Sequence, residues 1–278
     1  MLGTILSFCF MAVAARELSG NIGVFEILFF RSTFGLIIVS GIIFLTGNTA
    51  LFHTNRIHIH GVRNIFHLAG QSGWVLGIGL LPLAEVFALE FTVPIWVALI
   101  ASLFLNESIT KVKAIAILLG FLGVVVIVKP GFASYDTTSL IVLGAAIAYA
   151  IAHVTNKSLT GTEAPITILF FMCLMQLPIA FLLSLNHWIW PIGIEWFWLS
   201  VIGLTALIGH YCLSRAMSLA EVGVIMTIDF LRLPLIAIMA MFLYSESFDL
   251  AMVLGSAMIL AGNLLNLNAQ RGSKGAPT

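Results

Sequence analysis

This chain is poor in charge. Only 9% of its 278 residues are Asp, Glu, Lys or Arg, while 60% are hydrophobic. Soluble domains carry roughly a quarter charged residues, so this composition cannot clothe a water-facing surface, and lipid is the expected solvent for most of it. Acids and bases balance at 12 each, which removes the basic excess that nucleic-acid binding requires. Cysteine is scarce as well. Cys9, Cys173 and Cys212 fall singly in separate apolar runs, which leaves neither a disulfide framework nor a thiolate metal site. The chain also lacks a Gly-Lys-Ser/Thr phosphate loop and a His-Glu-x-x-His box, the marks of nucleotide-driven pumps and zinc proteases.

What the chain has instead is itself, twice. Leu83-Ala84-Glu85-Val86 returns as Leu219-Ala220-Glu221-Val222, and Ile27-Leu28-Phe29-Phe30 returns as Ile168-Leu169-Phe170-Phe171. Gly3 and Gly144 open similar apolar runs that Arg16 and Lys157 close. Glu107 precedes Gly123 by sixteen residues, as Glu246 precedes Gly262. All offsets lie between 136 and 141, about half the chain. Duplication within a very apolar chain is the mark of a transporter built from two repeats, with its solute path between them.

Ten apolar runs approach or reach the length needed to span about 30 Å of hydrocarbon. They cover 2–18, 24–46, 63–81, 84–105, 112–129, 138–157, 164–185, 195–214, 221–244 and 248–268. Continuous apolar character predicts helices, since barrel strands alternate. The resulting expectation is an all-α membrane protein with a first repeat over 1–131, a second over 138–268 and a disordered tail over 269–278. Leu2–Ala15 ends near a signal-like Ala12-Val13-Ala14, yet no positive residue precedes it, and Leu143–Asn156 is its counterpart, so it reads as a retained first helix. Five helices per half invert the second repeat relative to the first. With both termini inside, Arg56, Arg63, Lys111, Lys113, Lys157, Arg215, Arg271 and Lys274 fall on the inner side, and only Arg16 and Lys129 fall outside. The positive-inside rule selects that orientation. Trp188, Trp190, Trp196 and Trp198 then form an outer interfacial belt.

Pro82-Leu83-Ala84-Glu85, Phe91-Thr92-Val93-Pro94, Leu105-Asn106-Glu107 and Gly120-Phe121-Leu122-Gly123 follow one another in the first half. Ala220-Glu221, Pro234, Tyr244-Ser245-Glu246 and Gly262 follow in similar order in the second. Together with Phe29-Phe30-Arg31-Ser32 and Phe230-Leu231-Arg232-Leu233-Pro234, this order resembles the EamA family of the drug/metabolite transporter superfamily over essentially the whole chain. The resemblance implies ten helices in inverted five-helix repeats. It also implies secondary transport of small metabolites across the bacterial inner membrane, among them amino acids, vitamin-like compounds and S-adenosylmethionine-like molecules. Glu90 departs from the small or hydroxyl residues more usual at its place.

Ionisable side chains within membrane helices are costly, by about 2.5–3.5 kcal/mol each on insertion scales, and therefore face a partner or a cavity. Arg31, Glu90, Asp229 and Arg232 are the clearest cases. Asp229 and Arg232, three residues apart, share a helix face. They read as a neutralising pair, as a border of the substrate cavity, or as both. Glu90 reads as a salt-bridge partner of Arg31 or Arg232, or else as a proton carrier or counter-charge for an amine. Arg31 reads as paired with a carboxylate of another helix or in contact with substrate. Gln71, Trp74, His210 and Tyr211 add polar and aromatic surface for a flat ligand, and Pro94 and Pro234 are kinks or hinges. Glu90, Asp229 and His210 are the candidates for a proton step. Glu107 and Glu246 read as helix-end groups. His53, His58, His60 and His67 lack the carboxylate or thiolate company a metal site needs. No cofactor is expected. A small-molecule substrate, possible proton coupling or solute exchange, and lipid are the expected partners. The leading expectation is a secondary transporter working by alternating access, with a lipophilic-amine exporter or an intramembrane enzyme as alternatives.

Overall fold

The computed structural model describes residues 1–104, 111–128, 137–220, 222–247 and 249–274. Glu107, Glu221, the Lys129-Pro130-Gly131 link and residues 275–278 lie outside the described residues. Those described form helices and no strands. The helices are α1 (Leu2–Leu18), α2 (Val24–Thr46), α3 (Ile57–Leu80), α4 (Leu83–Glu90), α5 (Val93–Phe104), α6 (Lys111–Val128), α7 (Thr137–Thr160), α8 (Pro165–Ser184), α9 (Glu195–Leu219), α10 (Val222–Asp229), α11 (Arg232–Tyr244) and α12 (Leu250–Lys274).

Local chemistry sets their limits. Gly47 ends α2 in the left-handed conformation, φ 67°, which a residue without Cβ adopts freely. Pro165 starts α8 where its missing N–H costs nothing. Two boundaries differ from the sequence expectation. α3 starts at Ile57, six residues before the apolar run, so His58 and His60 lie on a helix. α12 continues as helix to Lys274, through part of the tail expected to be disordered.

Five segments are long and apolar enough to cross a membrane: Val24–Thr46, Leu83–Ile100, Thr137–Thr160, Pro165–His187 and Glu195–Leu219. Shorter apolar helices cover Ala114–Ile127, Arg232–Tyr244 and Leu250–Leu265. The outer surface is apolar to a degree that water would not tolerate: Leu45 is 91% exposed, Phe242 77% and Trp190 69%. Trp188 and Trp190 pack edge to face, 5.6 Å apart, and Trp188 lies 5.3 Å from the Phe29 ring.

Helix packing relates the two halves of the chain. α1 lies on α9 and α7 lies on α3; α2 lies on α8, α6 on α12, α4 on α11 and α5 on α10. Exchanging the first, second, third, fourth and fifth apolar runs for their counterparts in the other half returns the same set of neighbours. Small residues allow the closest of these approaches. A Cβ on Gly123 would lie 2.6 Å from the Gly255 carbonyl oxygen, and one on Gly262 would lie 2.7 Å from that of Ala116.

The fourth and ninth apolar runs are each cut in two. α4 stops at Glu90 and α5 begins at Val93; α10 stops at Asp229 and α11 begins at Arg232. Pro94 has no N–H for the Glu90 carbonyl, nor Pro234 for that of Phe230, so neither run can continue its helical ladder. Local substitutes form. Thr92 Oγ1 donates to the Leu89 carbonyl at 2.7 Å, and the Leu233 N–H reaches Phe230 O at 3.0 Å. Asn263 of α12 donates to the Phe91 carbonyl at 3.0 Å. The prolines expected as hinges thus sit just after two-residue turns in the helices, Pro94 buried and Pro234 exposed.

Candidate functional site

The two breaks face each other. The Phe91 and Phe230 rings, each the first residue after its broken segment, lie 4.8 Å apart. Glu90 ends α4, Asp229 ends α10 and Arg232 begins α11, so three charges converge where irregular backbone meets. One nitrogen of Arg232, Nη2, donates to Glu90 Oε1 at 2.7 Å and to Asp229 Oδ2 at 2.8 Å. Trp74 Nε1–H donates to the second Glu90 oxygen at 2.8 Å. The guanidinium carbon also lies 4.9–5.2 Å from the ring centroids of Phe8, Phe87 and Phe91, within cation–π range.

A small cavity adjoins this cluster. Phe8, Met11, Gln71, Trp74, Glu90, Tyr149, His153, His210, Leu213, Asp229 and Arg232 line it. Two carboxylates against one guanidinium give the lining a formal charge of −1. Asp229 Oδ1, Arg232 Nε and His210 Nε2 are buried without protein partners. Such orphaned groups are expensive unless a ligand or water completes them.

The lining repeats with the chain. Glu90 and Asp229 are 139 residues apart, Trp74 and His210 are 136 apart, and Phe8 and Tyr149 are 141 apart. Glu90 and Asp229 end the equivalent eight-residue helices α4 and α10, and the Phe8–Tyr149 offset is that of Gly3 and Gly144, so these two pairs come from corresponding places in the two halves.

Of the residues singled out in sequence, Gln71, Trp74, Glu90, His210, Asp229 and Arg232 come together at the cavity. Tyr211 does not; it is 40% exposed. Neighbours on a helix point about 100° apart, so His210 facing inward turns Tyr211 outward. Glu90 pairs with Arg232, not with Arg31. Arg31 is buried behind Gln71. It donates to Gln71 Oε1 at 3.1 Å and to Gln176 Oε1 at 2.5 Å, and no carboxylate among the described residues pairs with it. Arg63, counted in sequence as a loop cation, is 2% exposed inside α3. Its guanidinium meets Asn64 Oδ1 at 2.7 Å and Asn156 Oδ1 at 3.2 Å. The sequence carried a sign of this: Arg63, His67, Gln71 and Trp74 follow one helix face at spacings of four, four and three.

The groups at the helix ends do structural work. Glu246 accepts from Arg16 Nη2 at 2.9 Å and from the Leu83 N–H at 2.9 Å, capping α4. Arg16 also donates to the Leu81 carbonyl at 2.6 Å, while Lys157 donates to the Met217 and Ala220 carbonyls at 2.5 and 2.8 Å. These matched contacts are the repeat again, each cation closing the end of the third run in its own half. Burial drives the Glu246 carboxyl above the ordinary glutamate range, and Arg16 and the N–H groups of Leu83 and Ala84 pull the other way. His60 meets Glu163 at 2.6 Å, and among the described residues no group of three or more metal-ligating side chains forms.

The family model described as the EamA-like transporter family matches residues 1–129 and 137–268. The chain belongs to the EamA-like transporter family. Its relatives include an S-adenosylmethionine uptake transporter of Rickettsia felis, 26% identical over 259 residues, which are 93% of this chain and 88% of that protein. They also include a riboflavin transporter of Brucella anthropi, 28% identical over 253 residues, 89% of each. A solved crystal structure superposes with a TM-score of 0.70 at 19% identity, covering 97% of this chain and 96% of that one, and supports the fold alone. This EamA-like protein is therefore a bacterial multi-pass membrane transporter of a small metabolite, and not an enzyme.

Proposed function

We propose that this EamA-like transporter binds a small cationic or zwitterionic, ring-bearing metabolite at the Glu90–Arg232–Asp229 cluster. The first candidate is an S-adenosylmethionine-like solute. One observation carries the reading. Both half-chains break at the same cavity, and the breaks present two acids to one base. A solute with a net positive charge matches a lining of net charge −1, and Phe8, Trp74 and Tyr149 offer faces for a flat ring. A flavin would use the same rings but leave the surplus acid unmatched. A lipophilic amine would meet the acid but leave the orphaned polar atoms of His210 and Arg232 unfilled. The names of the relatives also favour metabolites over such amines.

In this reading the chain crosses the membrane ten times in two inverted five-helix halves, at 1–131 and 138–268. The exchange symmetry of the helix neighbours and the matched lining pairs support it. Both termini are cytoplasmic. With Arg63 withdrawn from the loops, seven of the eight inner cations remain, against Arg16 and Lys129 outside. The breaks at Phe91 and Phe230 are where one half rocks against the other. No nucleotide-binding loop is present in the sequence, so the driving force is an ion gradient or exchange of a second solute.

Equilibrium binding of S-adenosylmethionine to the purified protein in detergent tests the site. Saturable binding that Glu90→Gln weakens about tenfold or more, the loss of one charge-assisted contact, supports it. Binding unchanged by both Glu90→Gln and Asp229→Asn refutes it.

A further inference from the structure

Arg232 has two carboxylates within 2.8 Å, whereas Arg31 and Arg63 have none among the described residues. Both are only 2% exposed. A guanidinium cannot shed its proton, so each remains a cation in a buried site, and desolvating such a charge costs several kcal/mol unless a counter-charge answers it. The acceptors in place are neutral amides and a thioether. Arg31 uses Gln71 and Gln176; Arg63 uses Asn64, Asn156 and the Met172 sulfur at 3.7 Å. Capacity is left over. Arg31 Nε and His67 Nε2 are buried and unpartnered.

This cluster is continuous with the cavity. Gln71 lines the cavity and accepts from Arg31. The His67 ring lies 4.8 Å from that of His210, another lining residue. Gln176 joins the parts, donating to Asn64 Oδ1 at 3.2 Å and standing 2.9 Å from His67 Nδ1. Along α3 the distance from Arg63 to Trp74 is about 16 Å at 1.5 Å per residue. The buried interior is thus polarised, with surplus acid at the helix breaks and surplus guanidinium beyond Gln71.

We propose that Arg31, with Gln71, Gln176 and His67 around it and Arg63 behind, is a carboxylate-binding subsite. It takes the carboxylate of the transported solute while the cationic part rests at Glu90 and Asp229. This substrate orientation rests on the proposed function above; the anion site itself does not. A free small carboxylate supplies the same chemistry, so the test separates the two sources.

Two probes are used on the purified protein in uncharged detergent at constant ionic strength: sodium acetate, read by thermal denaturation, and S-adenosylmethionine against its carboxyl methyl ester, read by equilibrium binding. Acetate is expected to raise the melting temperature of the wild type but not of Arg31→Gln. The acid is expected to bind about tenfold or more tighter than the ester, a ratio that collapses in Arg31→Gln and survives in Glu90→Gln. Gln176→Glu guards against a variant that fails to fold. It supplies a carboxylate to Arg31 Nη2, and should melt higher than the wild type and no longer respond to acetate. A preference for acid over ester assigns the site to the solute. An acetate response lost in Arg31→Gln, with acid and ester binding equally, assigns it to a free anion. If the wild type binds neither acid nor ester, the substrate reading fails while the acetate arm still decides the subsite. An acetate response of equal size in wild type, Arg31→Gln and Gln176→Glu, or none in any of them, overturns the subsite.

Discussion

Glu90 and Asp229 accept hydrogen bonds from the same nitrogen of Arg232, at 2.7 and 2.8 Å. They stand 139 residues apart and each is the last residue of a broken helix segment. The duplicated chain has therefore brought two copies of one position onto a single cation. That cation has no copy of its own, since the neighbourhood of Val93 in the first half carries no arginine. The asymmetry leaves one acid in surplus.

Arg232→Met removes the cation and leaves a buried carboxylate, Asp229, beside a half-buried one, Glu90. Breaking a buried pair by removing one partner costs about 3–5 kcal/mol, so the melting temperature in detergent should fall sharply. Adding Glu90→Gln and Asp229→Asn removes the stranded charges, and the triple variant should recover most of that loss. Recovery, more than the loss itself, checks the electrostatic account.

Trp74→Phe keeps the ring at the cavity wall and deletes the N–H that holds Glu90 at 2.8 Å. A hydrogen bond to a charged group contributes about 1.5–3 kcal/mol. Losing that bond should lower the melting temperature and, with Glu90 no longer held in place, weaken solute binding. Trp74→Ala should impair both.

Gly262→Ala places a methyl group 2.7 Å from the Ala116 carbonyl oxygen, in backbone that cannot step aside cheaply. Overpacking of this kind costs about 1–3 kcal/mol. Gly41→Ala in α2 meets nothing within 4 Å and should cost no stability. Thermal denaturation of the two variants side by side compares the α6–α12 approach with an open helix face.

Glu246 gives a pH dependence of known sign. Its carboxyl is raised above the ordinary value of 4.5 chiefly by burial. The folded protein therefore holds that proton more tightly than the unfolded chain does, and this group's stabilising contribution is present below the unfolded pKa and lost as pH rises through the folded one. Melting temperature measured across the acid to neutral range should fall more steeply with rising pH in the wild type than in Glu246→Gln, which has no proton to lose.

Much of this was legible in the sequence because hydropathy reports lipid contact directly. Helices lie in each of the ten apolar intervals. The Asp229–Arg232 contact was expected from spacing along one helix; the contact forms, but across the turn between α10 and α11. Other features were hidden for physical reasons. The breaks at Phe91 and Phe230 precede the prolines by three and four residues, because a missing N–H is felt at the carbonyl one turn back. Tyr211 was misplaced because composition near a site does not say which side of a helix faces it. Arg63 was assigned to a loop because it stands at the first residue of an apolar run, and only the six extra residues of α3 carry it inside. The partner of Arg31 could not be foreseen, since Gln176 lies 145 residues away on α8.

The most direct test of the central claim is counterflow of radiolabelled S-adenosylmethionine in proteoliposomes loaded with the unlabelled compound. Wild-type protein should accumulate label transiently above the protein-free level. Glu90→Gln and Asp229→Asn, reconstituted in equal amount and shown to be folded, should lose most of that signal. Label accumulation by both variants at the wild-type rate would contradict the account, because solute would then be crossing without the two acids at the breaks.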